Sequence, residues 1–108
     1  MVLGVLLDTN ATATITVSAA NVSVSNVLFI ANKVDTASCF TLTTANDFVV
    51  DNCEFRDTSA ILNFLAIVTT SGTTAQADGL TFTNNKVLSS GTTAATTVLK
   101  AVGTNARW

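Results

Sequence analysis

The segment Asp51-Asn52-Cys53-Glu54-Phe55-Arg56-Asp57 gathers more chemistry-bearing side chains than any other stretch of this 108-residue chain. Three carboxylates and a guanidinium so close together could serve as an acid/base pair, an oxygen-lined cation site or a polar ligand contact. Each use sets a geometric demand. Cleaving a glycosidic bond requires two carboxyls facing each other across the sugar, and calcium asks for about six to eight oxygens. The whole chain supplies seven carboxyl side chains, Asp8, Asp35, Asp47, Asp51, Glu54, Asp57 and Asp78, and no histidine. Asp51, Glu54, Arg56 and Asp57 therefore form the candidate ligand-binding set, read as a solvated charged corner rather than a catalytic or calcium centre. No catalytic residue, metal site or cofactor is assigned.

The elements that position this segment are strands. β-Branched and small polar residues dominate nearly every window, and only residues 59–66 have tolerable helix propensity. Length fits one domain, residues 1–108, since single cores occupy about 100 to 200 residues. Charged residues make up 11% of the chain, under half the usual share of about 25%, so Thr, Ser and Asn must build the wet surface. Lys33, Arg56, Lys86, Lys100 and Arg107 are scattered, which argues against a nucleic-acid partner because phosphate binding needs clustered positive charge. Residues 1–7 are apolar but have no basic residue ahead of them and no clear cleavage site, so they read as a first strand and no signal peptide is evident. The apolar stretch 60–68 is interrupted by Asn63 and falls far short of the roughly 18 residues of a membrane span. No membrane partner is expected. Cys39 and Cys53 are too few for a disulfide scaffold and read as buried free thiols.

An internal repeat organises the rest. Val22-Ser23-Val24-Ser25-Asn26-Val27-Leu28-Phe29 returns as Phe48-Val49-Val50-Asp51-Asn52-Cys53-Glu54-Phe55 and as Leu80-Thr81-Phe82-Thr83-Asn84-Asn85-Lys86-Val87, spaced by 26 and then 32 residues. The shared pattern is apolar-x-apolar-x-Asn-x-x-apolar, and each copy follows a small polar turn: Ala20-Asn21, Asn46-Asp47, Asp78-Gly79. Two alternating apolar residues make a short strand with one inward face, and Asn turns a corner by accepting left-handed backbone angles. Asn26, Asn52 and Asn84 are expected to form a ladder, and Val24, Val50 and Phe82 to stack inside. Ile15/Val17 and Phe40/Leu42 repeat the alternation one strand earlier, while the register of 64–68 and 98–102 stays ambiguous by one residue. A β-sandwich would also show many short strands, but it does not require a corner Asn in register, nor does the chain carry Asn-Gly or Asp-Gly hairpins between alternating strands.

Val50-Asp51-Asn52-Cys53-Glu54-Phe55 and Phe82-Thr83-Asn84-Asn85-Lys86-Val87 resemble the degenerate repeat of the right-handed parallel β-helix superfamily, which includes pectate lyases, polygalacturonases and phage tailspikes. That resemblance spans roughly residues 12–102 and implies an all-β solenoid of about three coils. It does not choose a function, because the superfamily holds lyases, hydrolases and structural proteins on one scaffold.

Stacking then predicts the surface. Glu54 should lie over Leu28 and under Lys86, giving a Glu54–Lys86 ion pair. Thr-rich faces raise ice binding as a minor reading, but Ser23/Ser25, Val49/Asp51 and Thr81/Thr83 interrupt one array, and Thr14/Thr16 with Thr41/Thr43 lacks a clear third member. Leu28, Ile30 and Leu88 should point outward, and Trp108 falls where a fourth coil would begin; these four are the candidate interface residues. The expectation is a structural or surface-recognition module, as in a phage tail fibre, tailspike or capsid-decorating protein, placed on a virion or an extracellular surface. Its expected partners are copies of itself, a trimer being favoured, or a larger assembly, and a cell-surface polysaccharide. The alternative is a fragment of a polysaccharide-active enzyme or of a longer solenoid.

Overall fold

A computed structural model describes residues 3–7, 13–71, 77–90 and 96–102, and within 3–7 only Gly4 beyond its backbone. The described residues form eleven strands and no helix: β1 Leu3–Leu7, β2 Ile15–Val17, β3 Ser23–Ser25, β4 Val27–Ala31, β5 Phe40–Leu42, β6 Val49–Asp51, β7 Glu54–Asp57, β8 Ala66–Thr70, β9 Thr81–Thr83, β10 Lys86–Leu88 and β11 Thr97–Lys100. All named strand pairs are parallel and make three sheets. The first sheet runs β1-β4-β7-β10, the second β2-β5-β8-β11 and the third β3-β6-β9. Successive strands fall in different sheets and return to each sheet one place further along, an order consistent with a solenoid.

Register fixes which residues face inward. Val24, Val50 and Phe82 are aligned in the third sheet, as the repeat requires. Phe29, Phe55 and Val87 align in the first, and Ile15, Phe40, Val68 and Leu99 in the second. The middle members are the core: Phe40, Val50, Phe55 and Val68 are each 0% exposed. Parallel stacking brings rings together. Phe29 and Phe55 are stacked at 5.2 Å between centroids, Phe55 and Phe82 at 5.9 Å, and Phe40 meets Phe29 and Phe48 edge-on at 5.1 and 5.3 Å. The ambiguity at 64–68 resolves with Val68 beside Phe40 and Thr70 beside Leu42. Residues 59–66 contain no helix: 59–65 form most of the connection between β7 and β8, and Ala66 opens β8.

Corners are made where φ is positive. Asn26, Asn52 and Asn84 have φ of 59°, 52° and 54°, and the preceding corner uses Asn21, Asp47 and Gly79 at 59°, 56° and 77°. Asn and Asp tolerate this region and Gly adopts it freely. At Gly79 a side chain would also collide, since a Cβ there would lie 2.5 Å from Asp47 Oδ1. The expected Asn ladder is present only in its first step. Asn52 Nδ2 donates to Asn26 Oδ1 at 2.6 Å, but Asn84 Nδ2 turns to Asp51 Oδ1 at 2.9 Å. The anionic carboxylate is the stronger acceptor, so it captures the amide that the ladder needed.

Cys39 and Cys53 are free thiols, 0% and 2% exposed. Burial, with Cys53 nearby as a second cause, pushes the Cys39 thiol well above its usual range. After the corner, Val27 and Cys53 point inward, whereas Asn85 is only partly buried. The Asn85 amide bonds back to the previous layer, Oδ1 accepting from Cys53 N at 2.8 Å and Nδ2 donating to Val50 O at 2.9 Å.

Candidate functional site

The corner between β6 and β7 divides the four candidate ligand residues among three environments. Asp51 ends β6 on the outer face of the third sheet, between Ser25 and Thr83 in register. Its Oδ1 accepts from Asn84 Nδ2 at 2.9 Å and from Thr83 Oγ1 at 2.8 Å. The Asn84 and Thr83 donors hold its carboxyl below the usual carboxylate range, with a smaller contribution from the Asn52 backbone and partial burial opposing them.

Glu54 and Arg56 lie past the corner, on the outer face of the first sheet. Residues two apart on a strand share a face, and Glu54 forms an ion pair with Arg56. The Arg56 Nε also donates to Glu54 Oε1 at 3.0 Å. Lys86 does sit beside Glu54 in register, yet the expected Glu54–Lys86 pair is replaced by this intrastrand one. A guanidinium offers Oε1 two donors from one planar group, which a single ammonium does not match.

Asp57 belongs with neither group. It points inward at the end of β7 and is 9% exposed. Its Oδ1 accepts from Phe64 N and its Oδ2 from Ser90 N, both at 3.0 Å. One carboxylate therefore ties the connection after β7 to the connection after β10. Alternation along the strand points only Asp51, Glu54 and Arg56 outward, and Asp57 accordingly takes the inner face.

The expected apolar column on the first sheet is interleaved with the ion pair. Leu28, Glu54 and Lys86 share one outward column, and Ile30, Arg56 and Leu88 share the next. Leu28 and Ile30 are half-buried, and Leu88 is 40% exposed. The outer face of the second sheet holds a column that sequence reasoning left incomplete: Thr16, Thr41 and Thr69, with Lys100 beyond them. Thr69 was the missing third member. Its signal was hidden because Ala66, Ile67 and Val68 are all buried, so no alternation marked which way Thr69 faces. The neighbouring hydroxyls of this face are partly committed, Thr14 with Thr41 at 2.9 Å and Thr43 to Val17 O at 3.2 Å.

Trp108 lies outside the described residues. Among the described residues no three His, Cys, Asp or Glu side chains are grouped to hold a metal ion, and no helix is long and apolar enough to cross a membrane. Set against known proteins, the chain matches no family model, no curated protein and no solved structure.

Proposed function

We propose that this chain is a structural or surface-recognition module built as a right-handed parallel β-helix of about three coils, and that it serves as a phage virion component such as a tail fibre, tailspike or capsid-decorating protein. The observation that carries this reading is how the charged groups are spent. Asp51 is held by Thr83 and Asn84, Asp57 by two backbone N–H groups, and Glu54 by Arg56. Two of the carboxylates that would have to bind or cleave a substrate instead hold the fold, Asp51 across a corner and Asp57 between two connections, and Glu54 is neutralised by Arg56 on its own strand. A scaffold whose polar groups serve its own geometry suits display and assembly, with copies of the same chain as first partners and a surface polysaccharide as a further ligand.

Native mass in solution tests the proposal. A trimer or larger species built from the 11.2 kDa chain is the expected result, and a monomer at every concentration counts against it. The enzyme alternative is tested separately: turnover of a polysaccharide that disappears in Asp51→Ala or Glu54→Ala would overturn the non-catalytic reading.

A further inference from the structure

We propose that the two ends of the stack are mates, the C-terminal edge of β9, β10 and β11 docking head to tail onto the N-terminal edge of β1, β2 and β3 in a second copy. This pairing rests on the assembly role proposed above and names the surface that performs it. The inward columns are closed in the middle and less covered at most of their end members, Val17 on β2 being the one that is buried, at 6% exposed. In the second sheet Phe40 and Val68 are 0% exposed, whereas Leu99, at the same inward position one strand further, is 41% exposed. Phe82 and Val87 end their columns partly buried, and so do Ile15 and Val24 at the other end. The apolar interior thus reaches both end faces.

The backbone makes the same statement. Among the described residues each of β1, β2, β3, β9, β10 and β11 has a partner strand on one side only, and the outward half of its N–H and C=O groups is turned toward the end face. A mate must offer parallel edges in the same three-sheet arrangement over an apolar column. The opposite end of this chain is such a surface, because each layer repeats the one before it, and the β1–β4, β2–β5 and β3–β6 pairings show the contact it would make. Docking tail to tail is disfavoured by charge. Lys86 and Lys100 stand exposed on the C-terminal edge strands and would meet their own copies, whereas β1, β2 and β3 carry no charged residue. Head-to-tail contact leaves a free end on each copy, so the stack is open and grows with concentration.

Sedimentation of the full chain decides the matter, with Leu99→Lys blocking the C-terminal end and Val24→Lys the N-terminal end. The wild type should climb through multiples of 11.2 kDa with concentration. Each variant alone should stay a monomer, and an equimolar mixture should reach twice that mass and stop, because only one competent pair of ends remains. Should either variant lose its β-sheet circular dichroism, Lys100→Pro and Ser23→Pro replace them. The parallel ladder turns both N–H groups away from the inner neighbour, so proline blunts the edge without entering the core. Variants that assemble as the wild type does, or a mixture that stays monomeric, overturn the end-to-end contact and leave assembly through another surface standing. A wild type that is monomeric throughout overturns both.

Discussion

Replacing Asp57 separates a structural carboxylate from a ligand-binding one. Both of its oxygens are engaged by backbone donors, Phe64 N and Ser90 N at 3.0 Å each. Phe64 is 1% exposed, so its N–H has no ready access to water when the acceptor is removed. Leaving such a donor buried and unpaired costs about 1–3 kcal/mol. Ser90 is exposed, and losing its bond to a charged acceptor adds on the order of 0.5–1 kcal/mol after water takes over part of the role. Asp57→Ala should therefore cost about 2–4 kcal/mol, a large part of the roughly 5–15 kcal/mol available to a domain of this size. Asp57→Asn retains one carbonyl oxygen but turns an NH₂ toward the other donor, so about half that loss is expected. Urea unfolding followed by circular dichroism measures both, and amide exchange at Phe64 should quicken in Asp57→Ala. Variants within about 0.5 kcal/mol of the wild type, the range of ordinary surface changes, would refute the staple and return Asp57 to the candidate ligand residues.

Phe55→Ala should be among the most damaging single changes, costing about 3–5 kcal/mol, because Phe55 is 0% exposed and its ring meets Phe29, Phe40 and Phe82; thermal unfolding tests this. Gly79→Ala should cost about 1–2 kcal/mol, combining the left-handed backbone with the collision at Asp47, and the penalty should shrink in an Asp47→Ala background. At low pH, the stability contributed by the depressed Asp51 carboxyl is full above its unfolded-state value near about 4 and is lost as pH falls through the lower folded value. Asp51→Asn should flatten that acid limb in urea unfolding at a series of pH values. At high pH the sign reverses for Cys39. Its raised folded value leaves stability intact below the unfolded thiol value near about 8.5 and erodes it as pH climbs above that, so Cys39→Ala should have a flatter alkaline limb.

The repeat was legible because its corner residues are constrained by backbone geometry, which acts locally. Asn26, Asn52 and Asn84 all take positive φ, and few residue types accept that angle, so the pattern survives while the strands around it vary. The pairing of the polar side chains was much less visible. Whether Asn84 reaches for Asn52 or for Asp51, and whether Glu54 takes Lys86 or Arg56, depends on which donor and acceptor come closest after folding. Sequence places all of these neighbours correctly and leaves several partners within reach of each. Asp57 shows a third limit: its role needs Phe64 and Ser90, which are 7 and 33 residues away in connections that carry no repeat signal.

Uneven spacing explains why strand register could still be read across most of the chain. In the first sheet Gly4, Leu28, Glu54 and Lys86 align, so successive returns lengthen from 24 to 26 to 32 residues, yet the strand-corner-strand unit inside each return keeps one length from its first apolar residue to its last. Added residues fall in the connections, where backbone can be lengthened at a small entropic cost of about 0.6 kcal/mol per doubling. A change inside the unit would instead shift every following side chain to the other face. A closed interior therefore fixes the length of the eight-residue unit, while the connections take up the added length even where they are packed themselves: Thr36, Asn63 and Phe64 are buried, and Asp57 holds the backbone at Phe64 and Ser90.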